Sequence, residues 1–223
     1  MKDFGKMNIE GVVFDVDGVL FDTEALHQRA WIAAMKSFGI DLDTASLLRW
    51  TGIPCTEMAE YYVKEYTPKR DPLDYVNAKR HHFQILVEKE AAPFEGLSDR
   101  LDQLLNTNLR MGYATSNSRK DVDLLMRVTG FDRYFPFGIS LDEVQNPKPH
   151  PEPYKNAVKM LDLSPSSCVA VEDSPTGLQA ALSAGMYTIG IISTFGREEL
   201  SPAHTICSKT IDACNLILNS IDK

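Results

Sequence analysis

Short apolar runs alternating with helix-length amphipathic segments constrain this chain more than any other feature. Strands are expected at Ile9–Phe14, Arg110–Thr115, Phe137–Ser140, Cys168–Val171, Tyr187–Ile192 and Thr205–Ile206. From the second strand on, helices are expected between most of them, at Ser118–Thr129, Pro153–Leu161 and Pro175–Ala184, with Leu97–Asn106 before the series and Ile211–Ile221 at its end. Strands separated by helices cannot pair as tight hairpins. They form a mostly parallel sheet whose two faces are covered by the helices. The expected fold is therefore α/β, Rossmann-like, with a mostly parallel sheet flanked by helices.

One stretch breaks the alternation. After a helix over about Ala25–Phe38, closed by Gly39, residues 41–90 show no β-pattern. Short helices are suggested at Thr44–Trp50, Thr56–Tyr66 and Leu73–Glu90, with breaks at Gly52-Ile53-Pro54 and Thr67-Pro68. Ala91-Ala92-Pro93-Phe94-Glu95-Gly96 is a boundary, because proline and glycine within a few residues end any helix. The expected organisation is a core of residues 1–21 and 92–223, with residues 22–91 inserted as an α-helical cap domain. Residues 1–8 read as a loose polar lead.

Parallel sheets bind ligands at the carboxyl ends of their strands. The polar clusters of this sequence fall there: Asp15 and Asp17 after the first strand, Thr115 and Ser116 after the second, Glu172 and Asp173 after the fourth. Lys148 follows the third strand in a loop. Because side chains alternate along a strand, Asp15 and Asp17 point to one side. Carboxylates crowded together are costly unless a positive charge sits with them. Asp15 and Asp173 suffice to hold a hard divalent cation such as Mg²⁺, which takes one or two carboxylates and leaves positions for waters and a phosphate. Lys148 supplies a second positive charge, Thr115 a hydroxyl donor, and the backbone N–H groups of Ser116 and Asn117 complete a phosphate cradle. In that setting Asp15 is the nucleophile and Asp17 the proton donor, later the base.

The bulk numbers narrow the partners. The 223 residues carry a formal net charge of −8, which argues against nucleic acid or anionic membrane surfaces. Cys55, Cys168, Cys207 and Cys214 make no metal-like spacing and read as thiols of a reducing compartment. The first ten residues, MKDFGKMNIE, lack the apolar core of a signal peptide, and no run approaches the roughly 18 apolar residues of a membrane span. A cytoplasmic monomer acting on a small phosphorylated metabolite is the expectation.

These residues fall into four motifs. They are DxDGxxxDT (Asp15, Asp17, Gly18, Asp22, Thr23), a strand-ending Thr115, the lysine of NPKPHPEPY (Lys148), and EDSxxG (Glu172, Asp173, Ser174, Gly177). In this order they resemble the haloacid dehalogenase superfamily, in the subgroup with a helical cap that holds β-phosphoglucomutases and sugar-phosphate phosphatases. The resemblance spans nearly the whole chain. It implies Mg²⁺ held by the Asp15 carboxylate, the Asp17 main-chain carbonyl and Asp173, with Glu172 supporting the metal's surroundings. The dehalogenase and phosphonate-hydrolase branches lack an acid at the second aspartate position; Asp17 therefore favours phosphate esters.

The cap of this subgroup selects the substrate. DTEALHQRAW is similar to the start of the cap in β-phosphoglucomutases and several sugar-phosphate phosphatases, which places His27 within reach of Asp17 or the substrate. Arg80, His81 and His82 offer polar contacts or form a solvated helix face. Cys55 stands about where the mutases carry an arginine, and His81 falls near their cap lysine, so a phosphatase is expected ahead of a phosphosugar mutase. A phospho-aspartate signalling receiver is the remote alternative; such domains are shorter and carry their aspartate on a middle strand.

Overall fold

The computed structural model describes residues 8–50, 55–67 and 69–221. The expected breaks at Gly52-Ile53-Pro54 and Pro68, and the polar lead through Met7, lie outside the described residues. The chain divides into two compact units. One comprises the chain through Asp22 and from Ala92 onward; the other is Thr23–Ala91.

The first unit is built on six strands: β1 (Gly11–Phe14), β2 (Arg110–Ala114), β3 (Phe137–Ile139), β4 (Cys168–Glu172), β5 (Tyr187–Ile191) and β6 (Thr205–Cys207). Their order in the sheet is β3-β2-β1-β4-β5-β6, and every pairing is parallel. The first strand in sequence is thus central, flanked by β2 and β4. That arrangement is why its flanking residues matter: everything after Phe14 emerges in the middle of the sheet.

The second unit begins with α1 (Glu24–Ser37), α2 (Thr44–Leu48), α3 (Cys55–Tyr66) and α4 (Pro72–Glu90). The first unit adds α5 (Leu97–Leu105), α6 (Arg119–Thr129), α7 (Glu152–Met160), α8 (Pro175–Ala184) and α9 (Thr210–Ile221). Local chemistry sets their ends. Ser118 caps α6 by accepting from the Asp121 N–H, and Ser174 caps α8 by accepting from the Gly177 N–H. Pro175 occupies the first turn of α8, where its missing N–H costs nothing.

Alternation along β1 sends Val13 to one face and Phe14 to the other. Val13 joins Ala114, Ile139 and Ala170 against Tyr154, Ala157, Val158 and Leu161 of the α7 region and Ala180, Ala181 and Ala184 of α8. Phe14 meets Phe135 edge-on at 5.7 Å, while α5 packs on α9. The helical unit has its own core, in which Trp31 and Met35 of α1 meet Met58, Tyr62 and Val63 of α3 and Tyr75 and Val76 of α4. No helix among the described residues is long and apolar enough to cross a membrane.

Candidate active site

The register brings three strand ends level. Phe14 pairs with Tyr113 on one side and Val171 on the other, so Asp15 follows in line with Ala114 and Glu172. The Asp15 N–H continues the ladder to the Val171 carbonyl at 2.9 Å, and the Thr115 N–H bonds the Ile139 carbonyl at 2.9 Å. Thr115 is turned inward and buried, whereas Ser116 is exposed.

Lys148 reaches into this group from the loop before α7. Its ammonium lies 2.6 Å from Asp15 Oδ1 and 2.6 Å from Glu172 Oε1, with only 6% of its side chain exposed. Glu172 is fully buried, and its carboxylate is saturated. Oε1 accepts from Lys148 and from the Tyr154 hydroxyl at 2.9 Å. Oε2 accepts from the N–H groups of Asp173 and Ser174 and from the Ser174 hydroxyl. This geometry makes Glu172 an anchor for Lys148 and for the loop that presents Asp173. Asp173 accepts in turn from the Ser193 hydroxyl just beyond β5.

Two glycines make the close approach possible. Gly18 has φ +71°, and a Cβ there would lie 2.0 Å from Asp173 Oδ2. At Gly177 a Cβ would lie 1.7 Å from Glu172 Oε1. Gly177→Ala is therefore expected to displace the Glu172 carboxylate and, with it, Lys148. We expect a loss of about 1–3 kcal/mol from overpacking, read by denaturant unfolding, with activity falling as well. A variant that unfolds and turns over like the wild type would show that α8 shifts instead.

The electrostatics are unbalanced. Oxygens of Asp15, Glu172 and Asp173 lie within 4.8 Å of one another, all buried, against the one ammonium, that of Lys148, which pairs with Asp15 and Glu172 among the described residues. Burial pushes the Asp15 carboxyl well above the usual carboxylate range; Glu172, Asp173 and Asp17 add to this and Lys148 opposes it. Asp173 is pushed up to about 7, first by burial and then by Glu172, against the Ser193 bond and Lys148. Burial alone would lower the Lys148 ammonium, but Asp15 and Glu172 outweigh it and hold the group protonated. A cluster of hard oxygen donors with excess negative charge fits a divalent cation such as Mg²⁺.

A family model of haloacid dehalogenase-like hydrolases matches residues 12–191, which spans the sheet from β1 to β5 and the four motifs. The chain belongs to this family. The haloacid dehalogenase-like enzyme described here is 30% identical over 191 residues to β-phosphoglucomutase of Bacillus subtilis (strain 168), covering 82% of this chain and 83% of that one. Over 195 residues it is 28% identical to validoxylamine A 7′-phosphate phosphatase of Streptomyces hygroscopicus subsp. limoneus, covering 87% and 91%. The crystal structure of CbbY from Rhodobacter sphaeroides in complex with phosphate superposes with a TM-score of 0.84 at 28% identity, covering 96% of this chain and all (100%) of that one.

One sequence expectation needs correction for this hydrolase. The Asn117 N–H is not free for a phosphate, because it donates to Thr115 Oγ1 at 3.1 Å; the side chain instead donates to Asp17 Oδ2 at 2.7 Å. Within the helical unit, His27 Nδ1 lies 2.7 Å from Lys79 Nζ and its ring stacks on Phe83 at 4.1 Å. On α4, Arg80 is half-buried and His81 exposed, while Lys79, which the sequence reading did not single out, is buried, 5% exposed. Lys79 had a signal in the sequence. It falls in the helical stripe Tyr75, Val76, Lys79, Phe83, Val87, whose other members are apolar. Tyr154 and Ser193 were missed as well. The spacing of Tyr154 with Ala157, Val158 and Leu161 marks a core position but not the partner of its hydroxyl, and nothing local to Ser193 points to Asp173.

Proposed function

We propose that this enzyme is a Mg²⁺-dependent phosphatase of small phosphorylated metabolites, sugar phosphates foremost, working through a phosphorylated Asp15. The observation that carries the reading is the meeting of Asp15, Lys148, Thr115 and Asp173 at adjacent strand ends, with Asp17 two residues beyond the nucleophile. In the first step a carboxylate oxygen of Asp15 attacks phosphorus. The bond from phosphorus to the ester oxygen breaks, and Asp17 delivers its proton to that oxygen, releasing the alcohol. In the second step water attacks the same phosphorus, Asp17 takes its proton, and the acyl phosphate opens to Asp15 and inorganic phosphate.

The difficulty is anion meeting anion. Lys148 lowers it by neutralising the attacking carboxylate, and the Thr115 hydroxyl, whose oxygen already accepts from Asn117, keeps its proton for a phosphate oxygen. A Mg²⁺ ion held by Asp15, Asp173 and the Asp17 carbonyl would offset the remaining negative charge of cluster and phosphate. Residues 22–91 are the substrate-selecting cap in this reading.

A panel of fructose 1-phosphate, glucose 6-phosphate, glycerol 3-phosphate and p-nitrophenyl phosphate tests it, assayed for phosphate release with and without Mg²⁺. Release dependent on Mg²⁺ is expected; no release from any ester would overturn the reading. A second reading, a phosphosugar mutase, is favoured by the buried Lys79 beside His27, a cation that a second phosphate would need. Conversion of β-glucose 1-phosphate to glucose 6-phosphate with a bisphosphate primer, and little free phosphate, would identify it.

The metal makes its own prediction. A carboxyl raised to about 7 when folded, from 3.8, contributes stability below the unfolded value and loses it as pH rises through the folded one. Without cation, the protein should therefore lose stability from about pH 4 to above 7. Mg²⁺ offsets that loss, and protons compete with it. The rise in melting temperature on adding Mg²⁺ should be larger at about pH 8 than at about pH 6, with about 2.7 kcal/mol gained at a hundredfold excess over Kd. Equal shifts at both pH values would place the cation elsewhere.

A further inference from the structure

We propose that Asn117 is a positioning residue for Asp17, fixing the carboxyl in the orientation that serves the leaving group; this rests on the reading of Asp17 as the acid. Asn117 is 8% exposed, and its main chain is held on both sides. Its N–H donates to Thr115 Oγ1 at 3.1 Å, and its carbonyl accepts from the Leu141 N–H at 2.9 Å. From that fixed base Nδ2 donates to Asp17 Oδ2 at 2.7 Å.

Asp17 is half-buried and immediately precedes the Gly18 turn. A short hydrogen bond to a carboxylate is among the stronger polar contacts and carries direction. Its geometry also separates the two oxygens. Oδ2 is an acceptor toward Asn117, so the proton passed to the leaving group rides on the other oxygen. The amide cannot itself give or take that proton, so Asn117 acts only through Asp17. Thr115 then has two duties: its hydroxyl proton faces the phosphate, and its oxygen pins the residue that aims the acid.

Leaving-group dependence tests this. An alkyl phosphate needs its leaving oxygen protonated, whereas p-nitrophenol is acidic enough to leave as the anion. We expect Asn117→Ala to lower kcat/KM about 10–100-fold for the best alkyl ester of the panel, the scale of a misplaced catalytic group. For p-nitrophenyl phosphate the loss should stay under about threefold, since proton donation contributes little there. The ratio of the two losses is independent of the fraction of folded enzyme. Isosteric Asn117→Asp, which replaces the donor by an acceptor, should show the same selectivity. Equal losses on both esters, no loss, or a wild-type ratio in Asn117→Asp would overturn the inference. Asp17→Asn is the control: if it shows no leaving-group dependence, the acid assignment itself fails. If it does and Asn117→Ala does not, only the positioning role fails.

Discussion

Asp15→Asn is expected to remove turnover of every ester by about 10⁴–10⁶-fold, the scale seen when an enzyme loses its nucleophile. The amide is nearly isosteric but is a far weaker nucleophile, so no phosphorylated intermediate forms. The fold should survive. Burial and the neighbouring carboxylates already work against the charged form of Asp15, so its loss relieves repulsion as well as removing a partner of Lys148. Lys148 keeps Glu172 at 2.6 Å. The expected result is a variant that unfolds at a denaturant concentration close to that of the wild type but releases no phosphate. Full activity in Asp15→Asn would sink the mechanism outright.

Lys148→Met should cost both stability and activity, through one cause. The ammonium is the only cation among the described residues that bridges Asp15 and Glu172. Removing one partner from a buried ionic group leaves charge uncompensated, which costs about 3–5 kcal/mol. The Asp15 carboxyl, already pushed up by burial, can escape by taking up a proton, so the deficit should shrink toward acid pH and widen as pH rises. Catalysis should fall by at least about 10²–10³, the effect of removing one preorganised charge donor. Unfolding curves at several pH values, together with phosphate release, check both effects. Added Mg²⁺ should restore part of the stability but not the rate. A Lys148→Met protein as stable as the wild type at about pH 8 would show that the cluster is not held by this contact.

Most of the fold was legible because the signals are local. Strand limits at Arg110, Phe137, Cys168 and Tyr187, and helix limits at Pro175–Ala184, follow from apolar runs ended by proline, glycine and capping serines, which act over a few residues. The strand order was not local. Nothing near Val12 says that β1 lies between β2 and β4, yet that placement brings Asp15 to Lys148 across 133 residues of sequence. Side-chain partnerships were the least legible. Asn117 was read through its backbone because TSNS precedes a helix, and the Thr115 hydroxyl took that N–H instead.

The sequence by itself determined the α/β class, the helical segment between the first two strands, and the residue types of the site. These depend on periodicity, turn chemistry and four spaced motifs. Only the tertiary structure decided what each group does for its neighbour. Packing saturates Glu172 with hydrogen bonds and leaves Asp173 under-compensated, so two adjacent carboxylates of one motif differ. It also selects Lys79 over His81 on one helix, and gives the Asn117 amide to Asp17. The physical reason is range. Propensity and hydrophobic pattern act between residues a few positions apart, whereas desolvation and hydrogen bonding depend on which distant segments the assembled sheet brings within about 3 Å.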